Sequence, residues 1–256
     1  MTATAKPLHI GVAMHLDTAA IVCSVLPHGE HGAVVRFLTP EAGLVAGYVR
    51  GGRSRALRPV LQPGNGVALA LRARVDTQLA AATVELAAAR AALATSVAGL
   101  AALTWLTGLT ATSLSEAVPH PRLYTTLDAI IDAIAQDAGA LALGEAVVRY
   151  EHLLLAELGF ALDLGSCAAT GTTEDLVFVS PKSRQAVSRG AGTPWSARLL
   201  PLPAFLISDA AADADAVRDG LALTGHFLER DILSGRGRDL LDARERLAAR
   251  AAPGYR

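Results

Sequence analysis

Four arginines, Arg50, Arg53, Arg55 and Arg58, fall within nine residues, and no acid interrupts them. Glycine and proline punctuate the run: Gly47, Gly51 and Gly52, then Pro59, Pro63, Gly64 and Gly66. Glycine frees the backbone and proline cannot continue a helix or a central strand, so the segment is expected to be an exposed loop. A guanidinium is planar, permanently charged and forked, which suits it to phosphate oxygens. Such a cluster either meets a polyanion or is merely solvated.

The flanking sequence must hold this loop. Ala19–Leu26, Ala33–Leu38 and Leu44–Arg50 are β-rich pieces that end at turn residues. Across 66–76, Val67, Leu69, Leu71, Ala73 and Val75 alternate with Ala68, Ala70, Arg72, Arg74 and Asp76. Period-two alternation puts the apolar set on one face and both arginines on the other. Leu79–Leu86 reads equally as a fifth strand or as the start of a helix. Five short strands with a basic outer face predict a small antiparallel barrel of the OB kind.

Beyond about residue 85 the periodicity becomes helical. Leu86–Leu114 predicts two helices broken near Ser96–Gly99. Arg122–Ile134 places Leu123, Leu127, Ile130, Ile131 and Ile134 on one face, and Gly144–Leu158 repeats the pattern. Residues 160–204 hold short strand-like pieces, Leu176–Val179 and Ala186–Ser188, between turns. Ser208 and Asp209 are expected to open a helix, and Arg238–Arg250 a last charged one. The expected class is α+β, with a barrel over residues 1–86 and a helical domain over 87–256. A small lobe is inserted in the latter at about 163–200.

Charge is divided between these parts. The whole chain carries a formal net charge of -1, but residues 1–80 sum to +4 and the remainder to -5. That separation is the mark of one part facing a polyanion. With 52% hydrophobic and only 4% aromatic residues, the interior should be alanine, leucine and valine in closely packed helices. Residues 91–115 are uncharged, but their serines, threonines and missing flanking cations suit a buried helix rather than a membrane span. His9, His15 and Asp17 interrupt any leader-like run, which points to a cytoplasmic protein.

Catalytic constellations are not legible. Gly52-Arg53-Ser54-Arg55-Ala56 approximates a nucleophile elbow but lacks the final glycine and leads into Pro59. His28-Gly29-Glu30-His31 lacks the spacing that sets two histidines one helical turn apart. No glycine-rich phosphate loop ends in Lys-Ser/Thr, and Gly190-Ala191-Gly192 lacks the third glycine of a dinucleotide fingerprint. Cys23 and Cys167 form no CxxC pair. No catalytic residue, cofactor or metal site is therefore assigned.

The run from Glu41 to Arg55, with Arg58-Pro-Val-Leu-Gln-Pro63-Gly64, resembles the N-terminal domain of the bacterial recombination mediator family RecO. Pro119-His-Pro-Arg-Leu-Tyr124, Arg149-Tyr-Glu-His-Leu-Leu-Leu-Ala-Glu-Leu-Gly159 and Ser180-Pro-Lys-Ser183 resemble later parts of that family, in order, over about residues 18–235. The resemblance implies an OB-fold, a helical bundle and a zinc-finger-like lobe. It implies binding of single- and double-stranded DNA, annealing of complementary strands and, with RecR, help in placing RecA on DNA coated by single-strand-binding protein. Carried to matching positions, Arg50, Arg53, Arg55 and Arg58 would contact phosphates, and Arg72 and Arg74 would extend their track. Arg149, beside Val148 and Leu153, is a candidate for holding the acidic tail of single-strand-binding protein, though an ordinary pair with Glu145 suits it equally. The chain departs from the family in the lobe, where Cys167-Ala-Ala-Thr170 and Ser188-Arg-Gly-Ala191 replace two CxxC pairs. One thiolate is too few for structural zinc, so the lobe is expected to fold without metal. A protein-docking scaffold with merely solubilising arginines, and a hydrolase with an unrecognised site, are the other readings.

Overall fold

The computed structural model describes residues 14–73, 79–233, 238–252 and 254. Five strands come first: β1 (Met14–His28), β2 (Gly32–Thr39), β3 (Gly43–Val49), β4 (Gly66–Ala73) and β5 (Ala80–Ala88). They close into a barrel in the order β1-β2-β3-β5-β4, antiparallel except where β3 meets β5. Following the register from His15 through Arg72, Ala81, Tyr48 and Val34 returns to β1 at Leu26, eleven residues further on. So large a stagger tilts the strands steeply around a narrow interior. Val22, Val35, Phe37, Val45, Leu69 and Leu71 fill it. This is an OB-fold, and the alternation expected in β4 holds: Val67, Leu69 and Leu71 are buried while Ala68 and Arg72 are exposed. The ambiguous stretch after Leu79 is a strand, with Ala80, Ala82 and Val84 turned inward.

The reading of two helices over Leu86–Leu114 is corrected. Strand β5 runs on to Ala88, a 3-10 turn covers Ala91–Leu93, and a single helix, α1 (Val97–Ser113), follows. The supposed break is an N-cap, because Ser96 Oγ accepts the Gly99 amide at 3.0 Å. α1 is buried on nearly every side. Its threonines are compatible with that because Thr104, Thr107, Thr110 and Thr112 each donate to the carbonyl four residues back, at 2.7–2.8 Å. Among the described residues no helix is long and apolar enough to cross a membrane.

Around α1 lie α2 (Pro121–Ala135), α3 (Ala140–Glu157), α5 (Ala214–Asp231) and α6 (Arg238–Ala251). α5 begins later than Ser208/Asp209, since Asp213 is its cap, accepting the Ala216 amide at 2.7 Å. Gly108 admits α6 closely: a Cβ there would fall 2.2 Å from Leu240. Between α3 and α5 the chain forms the lobe, with β6 (Leu176–Val179), β7 (Ala186–Ser188), α4 (Arg189–Gly192) and β8 (Leu200–Pro201) in a β7-β6-β8 sheet.

The barrel is not a bead on a string. Ile21, Cys23, Leu38 and Leu44 leave the barrel interior and pack in the helical core. Arg36, on β2, pairs with Glu116 at 3.0 Å and also donates to the Ala111 carbonyl at the end of α1.

At the centre of the bundle is a carboxylate with no exposure. Glu151 accepts from Trp105 Nε1 at 2.7 Å, from Arg244 Nε at 2.8 Å and Nη2 at 2.9 Å, and from Thr224 Oγ1. These four residues belong to α3, α1, α6 and α5. Removing one partner of a buried ion pair strands the other, at a cost of about 3–5 kcal/mol, whereas replacing both by apolar groups is often neutral. Arg244→Ala is therefore expected to lose about that much stability in urea titration followed by Trp105 emission. The double change Glu151→Leu/Arg244→Met should recover most of it. A single-variant loss below about 1 kcal/mol, as for an exposed pair, contradicts the assignment.

Candidate nucleic-acid interface

The basic loop connects β3 to β4, and the structure shows why it holds a shape. Gly51 and Gly64 have φ of +69° and +94°, conformations that side chains resist. Between them the backbone coils through turns, with Arg58 N donating to Ser54 O at 3.0 Å and Leu61 N to Leu57 O at 2.9 Å. Leu61 is buried in the barrel core, and Leu57 and Val60 pack against it. Asn65 is buried and donates to the Pro59 and Val60 carbonyls at 2.8 and 3.1 Å while accepting the Ala91 amide at 3.0 Å. Gly64 rests on Leu103 of α1, where a Cβ would come within 2.5 Å. The loop is a plug with charges on its outer surface.

Those charges stand apart from acids. Arg50, Arg55 and Arg58 are exposed, and among the described residues none of their three side chains has a hydrogen bond, ion pair or ring contact. Arg53 is tied back to the β1–β2 turn, donating to the Gly29 and Glu30 carbonyls at 3.3 and 3.1 Å. Its guanidinium keeps its charge but is fixed in place. Between loop and turn lies a cleft of about 520 Å³ lined by Val25, Pro27, Arg53, Arg58, Leu61 and Gln62. An apolar floor with two arginines on its wall suits a sugar–phosphate chain.

Tyr48 and His28 stand nearby, the rings 5.8 Å apart edge to face. Of the barrel aromatics Phe37 and Tyr48, only Phe37 is fully buried. Tyr48 is half-buried and lies over Gly32, where a Cβ would strike its ring at 2.4 Å. Its outward aim was legible in β3, where Val45, Gly47 and Val49 alternate inward. The loop's anchors carried a weaker signal, the apolar Leu57, Val60 and Leu61 set among arginines.

Arg72 lies in the same outward row as Tyr48 and Ala81, two strands and about 10 Å away. It is not free: both its terminal nitrogens bind Asp17, at 2.9 and 3.0 Å, and His15 binds the same carboxylate at 2.7 Å. Arg72 and then His15 hold the Asp17 carboxyl below its usual range. Arg74 lies outside the described residues.

Arg149, on α3, is paired with Glu145 at 2.9 Å and its guanidinium lies 5.3 Å from the Phe205 ring centre. It also lines a cleft of about 300 Å³ with Arg122, Thr126, His152, Leu153 and Leu206. Burial pushes the His152 imidazole down, and among the described residues its buried Nδ1 has no partner.

Comparison with known proteins covers both halves. A family model described as Recombination protein O N terminal matches residues 14–89, and one described as Recombination protein O C terminal matches residues 95–239. The chain is 44% identical over 238 residues to a DNA repair protein RecO of Rhizobium etli, covering 91% of this chain and 90% of that one. It is 44% identical over 232 residues to one of Cereibacter sphaeroides, covering 90% and 95%. A third, from a Bradyrhizobium, is 47% identical over 230 residues, covering 88% and 91%.

The lobe does not fit the zinc that the family resemblance implies. Cys167 is buried, and its Sγ accepts the Ser188 amide at 3.2 Å and the Ser188 hydroxyl at 3.4 Å. The first positions of the two altered motifs thus meet as a cysteine and a serine hydroxyl. Among the described residues no three His, Cys, Asp or Glu side chains converge. Purified protein is expected to keep its melting temperature in a strong chelator, and a stoichiometric zinc signal by mass spectrometry overturns this. The Ser188 hydroxyl and amide, with Thr170, hold the Cys167 thiol down from 9.0 to about 6. A depressed pKa stabilises the fold fully above the ordinary value, and that contribution fades as pH falls toward about 6. Cys167→Ala should flatten the melting temperature's dependence on pH across that window.

Proposed function

The chain belongs to the RecO family, and on that premise we propose that its barrel binds single- and double-stranded DNA through Arg50, Arg53, Arg55 and Arg58. Its role is in DNA repair and recombination. The reading goes further: the protein anneals complementary strands and, with RecR, helps place RecA on DNA coated by single-strand-binding protein. It does so without a catalytic residue or a cofactor, working at the nucleoid in the cytoplasm. Residues 1–86 are the DNA-binding unit, and residues 87–256, with the lobe at about 163–200, are the partner-recruiting unit.

One observation carries this: three unpaired, exposed arginines sit on a loop anchored at its base by Leu61 and Asn65. Unpaired guanidinium groups are surrounded by their own hydration and counterions. Bringing a phosphate chain to them releases DNA's condensed counterions, which drives binding without regard to sequence. A rigid loop loses little conformational freedom on binding. Tyr48 and His28 add an aromatic edge beside the cleft, so stacking supplements charge rather than replacing it. Arg72 extends the track on β4 by exchanging Asp17 for a phosphate, and Arg74, outside the described residues, is assigned to the same track from the family resemblance. The cleft at Arg149 and Arg122 is the proposed seat of the acidic, apolar tail of single-strand-binding protein, with Leu153 and Leu206 as its apolar wall.

The test is salt dependence. The Arg50→Ala/Arg55→Ala/Arg58→Ala variant should keep its fold, since among the described residues none of the three guanidinium groups bonds to the protein and the Arg58 backbone bonds survive in alanine. Its slope of log affinity against log salt for single-stranded DNA is expected to be shallower by about two, at roughly 0.7 per phosphate lost. Annealing of complementary strands should fall with it. An unchanged slope supports the docking-scaffold reading instead.

A further inference from the structure

The acidic remainder of the chain contains a second basic segment. Residues 81–256 sum to -5, yet Leu176–Ser208 holds four cations, Lys182, Arg184, Arg189 and Arg198, and no acid. This segment makes up most of the lobe. Two of the cations are engaged: Arg184 with Asp231 at 3.0 Å, and Arg189 with Asp175 at 3.2 Å. Among the described residues Lys182 and Arg198 meet no acid.

Beside Arg198 stands Trp195, 58% exposed, with the guanidinium carbon 5.8 Å from its ring centre. Both lie on a 3-10 helix, Thr193–Arg198, that has no buried residue. Tryptophan is mostly covered in folded proteins because its large apolar surface favours burial, so a displayed indole is informative. The display is held firmly. Pro194 occupies the first turn, and Gly192 sits against Phe178, where a Cβ would fall 2.5 Å from the ring. Strand β8 begins opposite Val179, so the connection bearing Trp195 returns to the end of the sheet from which the Lys182 turn departs.

We propose that Trp195 and Arg198 form a stacking platform for one unpaired base of a single-stranded polynucleotide, whose adjoining phosphates are met by Arg198 and Lys182. The indole offers a flat π-face that every base can match, and the guanidinium reinforces the stack while neutralising the backbone. A run of 33 residues with cations and no acid, Leu176–Ser208, favours a polyanion. An acidic peptide would match the charge but brings carboxylates rather than flat rings to the indole. The proposal rests on the reading that the chain binds DNA, but it uses a surface on the lobe rather than the barrel. Two sites on one chain would let it hold two strands, or one strand at two places.

Intrinsic fluorescence tests this cleanly in the full chain. The protein has two tryptophans; Trp105 is fully buried and Trp195 is displayed. Unlabelled oligothymidylate should quench the Trp195 emission in step with binding read separately by the anisotropy of a labelled strand. Trp195→Ala should weaken single-strand affinity about tenfold, the low end of a lost stack, and Trp195→Phe should restore most of it. Arg198→Ala should weaken it too. Binding by anisotropy with unchanged Trp195 emission and unchanged affinity in Trp195→Ala overturns the platform and leaves the barrel reading intact. Quenching by duplex or by an acidic peptide, but not by oligothymidylate, overturns it also, since neither presents a free base. Absence of any strand binding by anisotropy defeats the barrel reading and this one together.

Discussion

A carboxylate that cannot reach water dictates the arrangement of the helices. Glu151 is fully buried, and a buried charge is costly unless it is paired and hydrogen-bonded. Arg244 comes to it from α6, Trp105 from α1 and Thr224 from α5, so three helices are keyed to one carboxylate on α3. The packing around these bonds is apolar and alanine-rich, which brings helices close but specifies their rotation weakly. The polar cluster supplies that specificity. Its reach extends to the basic loop. Trp105 is held by Glu151, Leu103 lies two residues before it on α1, and Gly64 at the end of the loop rests on Leu103. Displacing α1 would unseat the loop from below.

Electrostatics in this chain is a matter of where charges are left unpaired rather than of how many there are. The formal net charge is -1, and among the described residues most arginines are matched, among them Arg36 with Glu116, Arg90 with Asp128 and Asp132, and Arg184 and Arg230 with Asp231. These pairs stitch the barrel exit to α2 and the lobe to α5. Among the described residues, those without an acid lie on the β3–β4 loop, on the lobe and, as Arg246 and Arg250, on the outer face of α6. A polyanion approaching a neutral molecule is attracted to such places and indifferent to the rest.

The parts of the fold that were legible in the sequence are those with short-range physical causes. Alternation in β4 needed only period two, and the strand pattern led to the barrel. Helix faces in α2 and α3 needed only their leucine, valine and isoleucine spacing. Where the reading of Leu86–Leu114 failed, Ser96 was taken as a breaker although it caps, a distinction that depends on where the preceding strand ends. The position of α5 slipped for a related reason: Ser208 and Asp213 are both able to cap, and only tertiary packing decides between them. The arginines of the loop were legible as a group. Their freedom from acids was not, because Arg72 finds Asp17 on a strand far away in sequence, whereas Arg55 finds nothing.

The lobe shows what holds so small a sheet when a single cysteine stands in it. A metal site normally replaces a core in so small a sheet. Here Cys167 and Ser188 keep the two halves in contact by hydrogen bonds, each far weaker than a metal–thiolate bond. The difference is made up by attachment to the bundle. Leu176, Val179, Ala186 and Val187 belong to the helical core, Arg184 reaches Asp231 on α5, and Arg230 donates to the Pro181 carbonyl. A lobe held from behind no longer needs an internal rivet. Its outer side, freed from that duty, can carry an exposed tryptophan and an arginine on a short helix without threatening the fold.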